Sequence, residues 1–140
     1  MHEVRSGDQR LAVKISVAEI QDGLHFFTDG TDLIQVASWR YDSGKQLLDH
    51  THRISLRQTH RTQEFILVVQ GALRARIYTE EDVFQETVDV RAGEGMLFFA
   101  GGHGYEILDD DTIVLEVKNG PFLGVAEDKR LLDIKHKGGQ

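Results

Sequence analysis

Residues Glu64–Tyr78 read EFILVVQ, then Gly71-Ala72, then LRARIY. Both runs are of strand length and rich in β-branched and aromatic residues, which pack well on a pleated surface. The two-residue break between them predicts a hairpin, although Gly-Ala is not the favoured turn pair. Working outward, further strand signals occur at Leu11–Val17 (LAVKISV), Leu33–Tyr41 (LIQVASWRY), Val83–Val90 (VFQETVDV), Met96–Phe99 (MLFF) and Ile113–Lys118 (IVLEVK). Turn chemistry separates them: Thr79-Glu80-Glu81-Asp82, Gly93-Glu94-Gly95 and Asp109-Asp110-Asp111. Amphipathic helical periodicity is scarce. The expectation is an all-β sandwich, barrel or jelly roll.

The chain has 140 residues, which suits one domain with one core. Sixteen Lys and Arg stand against 23 Asp and Glu, for a formal charge of −7. That balance argues against a nucleic-acid partner or an anionic membrane surface. Cysteine is absent, so disulfides, thiolate metal sites and cysteine nucleophiles are excluded. The charged N-terminus MHEVRSGDQR leads into no signal-length apolar run, and no stretch is long enough to span a bilayer. A cytoplasmic protein is expected. Fourteen Gly beside one Pro point to many tight turns between short elements. The tail from Pro121 reads as an appended arm, with Leu131–Ile134 available to pack and residues 135–140 as a frayed end.

Two strands are apolar on both faces. Phe65, Leu67 and Val69 alternate with Ile66 and Val68, and residues 96–99 are all apolar. A half-exposed antiparallel strand alternates instead. Something covers the outer face: a second copy in a homodimer, or the chain's own arms. Ile113, Leu115 and Val117 line one face of their strand, with Glu116 and Lys118 on the other as a surface ion pair or as pocket residues. Arg74 and Arg76 alternate with apolar neighbours, as solvated groups or as holders of a carboxylate or phosphate. Trp39, Arg40, Tyr41 and Tyr105 are further candidates for a pocket mouth.

The histidines carry the chemical signal. His50, His52 and His60 cluster just before Glu64, and His103 stands in Gly101-Gly102-His103-Gly104. His50 and His52 are at i and i+2, so an extended backbone turns both imidazoles to one side. Glu64 opens an apolar strand, where an ionised carboxylate needs a partner. Three imidazoles and a carboxylate suit one divalent Zn, Fe, Mn, Ni, Co or Cu ion. His60 is a rival ligand, because His60-x3-Glu64 gives a shorter spacing. His2, His25 and His136 belong to no constellation.

Gly44–His52 matches G-x5-H-x-H, Glu64–Gly71 matches E-x6-G, and Gly93–His103 (GEGMLFFAGGH) supplies a glycine-rich stretch ending in His. Together these motifs resemble the two motifs of the cupin superfamily. The resemblance covers the chain from about residue 33 to 118, with an arm over residues 119–140. It implies a cupin-type double-stranded β-helix, a jelly-roll barrel forming a single domain over residues 1–140 with N- and C-terminal arms. It also implies metal ligands at His50, His52, Glu64 and His103. The sequence departs from the pattern in four respects: residues 53–63 separate His52 from Glu64, the second motif lacks its proline, His103 sits about one residue early, and no asparagine follows it. The segments Arg61-Thr62-Gln63-Glu64, GGHG and Glu116–Pro121 are similar to a subgroup of small cupins often linked to surface-sugar and sugar-nucleotide metabolism.

Three functions follow as expectations. The first is a mononuclear metalloenzyme acting on a small polar metabolite, with sugar derivatives among the candidates, whose ion polarises a carbonyl or activates water or O2. The second is a non-catalytic module that binds such a metabolite. The third is metal-free acid–base catalysis by His and Tyr, like that of sugar-nucleotide isomerases or epimerases, which requires an intact His–carboxylate pair.

Overall fold

The computed structural model describes residues 1–133; Ile134, His136 and the end expected to fray lie outside the described residues. Ten strands form in chain order: β1 (His2–Ser6), β2 (Gln9–Ser16), β3 (Gly23–Phe26), β4 (Ala37–Arg40), β5 (Glu64–Gln70), β6 (Ala72–Tyr78), β7 (Phe84–Arg91), β8 (Glu94–Phe98), β9 (Gly102–Ile107) and β10 (Ile113–Lys118). A one-turn helix, α1 (Val125–Asp128), follows. The all-β expectation holds. Every pairing is antiparallel, and none of the sheets closes into a barrel. A five-stranded sheet runs β1-β2-β8-β5-β10, a three-stranded sheet runs β7-β6-β9, and β3 pairs with β4. Among the described residues no helix is long and apolar enough to cross a membrane.

The core lies between the two larger sheets. Val4, Leu11, Ile66, Val68, Met96 and Phe98 of the first meet Leu73, Ala75, Ile77, Val88 and Val90 of the second. Each of these side chains larger than Ala75, removed from water, contributes about 1.5–3 kcal/mol. The period of two explains the assignment: Ile66 and Val68 point inward, so Phe65 and Leu67 point outward.

The hairpin expected at Gly71-Ala72 does not form. β5 pairs with β8 and β10, whereas β6 pairs with β7 and β9, so the chain passes from one sheet to the other at Gly71. Gly71 has φ of 78°, and a Cβ there would lie 2.3 Å from Thr112 Oγ1. Only glycine combines that backbone with so close a neighbour. The apolar outer face of β2, β8 and β5 is covered in part by the chain itself. Phe27, Ile34 and Val36, around the β3–β4 connection, pack on Val13, Ile15, Leu97, Phe99 and Phe65. Farther along, Val69, Ile113, Leu115 and Val117 remain 50–58% exposed. The strand read at Leu33–Tyr41 is shorter than expected, ordered as β4 only over Ala37–Arg40. β1, β3 and β9 were not legible as strands. β9 hides behind its glycines, since the run GGHG reads locally as a turn.

Candidate functional site

Glu64 is the first residue of β5 and is buried, at 7% exposure. Its position is set by its neighbours. The Gln63 backbone N–H donates to Asn119 Oδ1 at 2.7 Å, and Asn119 Nδ2 donates to the Arg61 carbonyl at 3.1 Å. The Gln63 side chain, also buried, accepts from the Leu33 and Ile34 N–H groups at 2.8 and 3.1 Å. It donates in turn to the Phe99 carbonyl at 3.3 Å. This clamp fixes the entry into β5. In register, Glu64 lies opposite Lys118 on β10 and Phe98 on β8.

β9 supplies the groups that face Glu64. His103 and Tyr105 are at i and i+2, paired with Ile77 and Ala75 of β6, and share the inward face. The His103 ring stacks on Phe98, with centroids 4.2 Å apart and planes at 25°. Tyr105 meets the same ring edge-on at 5.9 Å. These contacts set both side chains in place. Tyr105 donates its hydroxyl proton to Glu64 Oε1 at 3.0 Å, and His103 Nε2 lies 3.5 Å from that same oxygen.

Burial pushes the Glu64 carboxyl up, but the hydrogen bond and charge of His103, the Tyr105 hydroxyl and the Lys118 ammonium together outweigh it. The carboxyl is held below its ordinary range and is ionised at neutral pH. Burial first, then the adjacent carboxylate, pushes the Tyr105 phenol far above its ordinary value, so Tyr105 keeps its proton. Lys118 Nζ lies 3.4 Å from Glu116, which is exposed, and 3.5 Å from Asp128; Lys118 and Glu116 lie in register with Glu64 and Ile66 of β5.

An open cleft of about 780 Å³ lies beside the Glu64–His103–Tyr105 cluster; Glu116 and Lys118, expected as pocket residues, are not among the residues that line it. Glu64, His103, Tyr105 and Phe98 form part of its wall, His60, Arg61 and Thr62 stand on one side, and residues Asp128–Leu132 on another. Arg76 also borders it, from the face of β6 opposite to Ala75, with Nη2 donating to the Tyr105 carbonyl at 3.2 Å.

The other expected ligands lie elsewhere. His50 and His52 are exposed within the stretch between β4 and β5, their rings 5.2 Å apart and edge to face. Tyr41 is 41% exposed and 6.4 Å from Trp39, and neither residue borders the cleft. Of the four residues that the resemblance implies as ligands, the structure brings together Glu64 and His103. Among the described residues no group of three or more His, Asp or Glu side chains converges as a metal site. As placed, then, these side chains do not form the implied ligand set.

Gln63 and Asn119 escaped the sequence reading as site residues, although both stand in the quoted segments RTQE and EVKNGP. Their position directly beside Glu64 and Lys118 is the signal that pointed to them. Comparison with known proteins gives no matching family model, no matching curated protein and no matching solved structure.

Proposed function

We propose that this chain is a cupin-type jelly roll whose cleft binds a small polar metabolite, and that His103, oriented by Glu64, moves a proton to and from it. Strand alternation supports the fold: β5, β8 and β10 enter the first sheet, while β6, β7 and β9 enter the second. One observation carries the chemistry. A buried, ionised carboxylate lies 3.5 Å from an imidazole and takes a hydrogen bond from a phenol, at the wall of a cleft.

The roles follow from the proton inventory. Glu64 stays ionised and stabilises the imidazolium that forms when His103 takes a proton. Tyr105 keeps its proton and engages it in the hydrogen bond to Glu64, so it orients the carboxylate and is no base. Among the described residues His103 Nδ1 has no hydrogen-bond partner, and the side chain is 26% exposed, which leaves that nitrogen to meet the substrate. Proton transfer at a carbon beside a carbonyl, as in isomerisation or epimerisation of a sugar derivative, is the reaction class such a pair serves.

Solvent-deuterium wash-in, followed by NMR over a panel of sugars and sugar nucleotides, tests this. Exchange that survives chelation and is lost in His103→Asn and in Glu64→Gln is the expected result. Exchange that needs added Zn, Fe or Mn, and falls equally in His50→Ala and His52→Ala, would favour the metalloenzyme. Ligand binding without exchange would favour the binding module.

The partner proposed for the exposed outer face of β5 and β10 is a second copy of this chain. Leu67, Val69, Leu115 and Val117 lie there on adjacent strands, and like apolar surfaces associate by removing each other from water.

A further inference from the structure

We propose that residues Asp128–Leu132 form a strap across the cleft, latched by Arg130 on Asp82, and that release of this latch admits ligand to His103. All five residues border the cleft that holds His103 and Glu64. The strap is held by side chains at three points. At its start Asp128 accepts from the Thr62 hydroxyl at 3.1 Å and pairs with Lys118 at 3.5 Å. At its centre Arg130 Nη1 and Nη2 donate to the two Asp82 oxygens, both at 2.8 Å. At its end Leu132 sits over Gly102, where a Cβ would come within 3.0 Å of Leu132 Cδ1.

The two sides of the latch differ in rigidity. Asp82 sits in the turn between β6 and β7, with φ of 65°. That turn is closed by the Asp82 N–H on the Thr79 carbonyl at 3.1 Å and by the Thr79 N–H on the Val83 carbonyl at 2.8 Å. The Thr79 hydroxyl also accepts from the Glu81 and Val83 N–H groups at 3.2 and 3.3 Å. Asp82 is therefore a fixed post. The strap has no such support. Beyond the Lys129 N–H, which bonds to the Val125 carbonyl at 2.9 Å, no backbone hydrogen bond ties residues 130–132 to the sheets, among the described residues. Leu131 is 89% exposed and adds no packing. A segment held by side-chain contacts at only these three points opens at small cost, while its docked position narrows the approach to the imidazole.

The inference rests on the cleft being a ligand site, but its test reads only access to His103. The probe is diethyl pyrocarbonate, which acylates neutral imidazole, with the modified histidines assigned by peptide mass spectrometry. Arg130→Gln and Asp82→Asn, the latter chosen because Asn tolerates positive φ, are expected to raise the His103 modification rate by about 2- to 5-fold, the scale of one exposed ion pair. Raised salt is expected to do the same to the unsubstituted protein, and Arg130→Lys, which keeps the charge and loses the fork, to fall between. His25, remote from the cleft, serves as the internal reference. An unchanged His103 rate in both variants overturns the proposal, and so does an equal rise at His25, which would report general loosening. A strap that opens in a protein inert toward every sugar tested would leave this inference standing and remove the proposed catalysis.

Discussion

The Tyr105 hydroxyl donates a hydrogen bond to Glu64 at 3.0 Å, on the same carboxylate oxygen that lies 3.5 Å from His103 Nε2. That bond divides the labour among the three groups. The phenol is committed to the carboxylate, the carboxylate is committed to staying charged, and only the imidazole is left to exchange a proton. Tyr105→Phe separates the parts. The ring and its contact with Phe98 survive, but Glu64 loses a donor in a buried place. The expected cost is about 1–3 kcal/mol, read from the urea midpoint. An unchanged midpoint would mean that water replaces the hydroxyl at no cost.

Glu64 also makes stability depend on pH. Burial raises its carboxyl pKa, but the His103, Tyr105 and Lys118 contacts overcome this and leave it depressed in the folded chain. A depressed carboxyl stabilises the fold above its unfolded value of about 4.3 and loses that contribution as pH falls through the folded value. The stability gap between the wild-type protein and Glu64→Gln is therefore expected to be widest near neutrality and to close as pH falls below the unfolded value of about 4.3 and through the lower folded one. A gap independent of pH would show that the substitution acts by packing alone.

Gln63 and Asn119 hold the entry to β5 without lining the cleft themselves. Gln63→Ala leaves the Leu33 and Ile34 N–H groups without their acceptor, and the expected loss is about 1–3 kcal/mol. Asn119→Ala frees the Gln63 N–H and the Arg61 carbonyl. Both variants are expected to weaken exchange at His103 by displacing Glu64, with a larger effect on kcat than on KM. Folded protein with unaltered kinetics would reduce the clamp to a structural role.

Glycine is required at Gly71 for two reasons and at Gly93 for one. Gly93 has φ of 81° but open space around a Cβ, whereas Gly71 has φ of 78° and Thr112 within 2.3 Å. Gly93→Ala is expected to cost about 1–2 kcal/mol from backbone conformation alone. Gly71→Ala is expected to cost more, since the Thr112 backbone also stands 3.0 Å away. Thermal denaturation ranks the two, and the reverse order would show that the inter-sheet corner yields easily.

The outer face of β5 and β10 is where a second copy is proposed to sit. Leu115 and Val117 are 58% and 55% exposed there and take no part in the core. Leu115→Glu is expected to convert a dimer to a monomer in light scattering while leaving the thermal transition of the monomer in place. A monomer in the unsubstituted protein at micromolar concentration would end that reading.

Much of the architecture was legible because it is local. The apolar runs at 65–69 and 96–99 and the acidic turn at 109–111 each state their own element. Glu64 and His103 stood out for equally local reasons, a carboxylate opening an apolar strand and a histidine among glycines. Partnership was not legible. A period of two assigns a side chain to a face, but it does not say which strand lies across from that face. β5 and β6 look like the arms of a hairpin and belong to different sheets, because Gly71 turns the chain between layers. His50 and His52 look like paired ligands, yet the i, i+2 pair that meets Glu64 is His103 and Tyr105, brought there by the pairing of β9 with β6. By itself the sequence determined an all-β chain and its main strands. Tertiary structure alone decided which distant side chains share the cleft, since contacts across some 40 residues of chain arise from how two sheets stack and not from any local pattern.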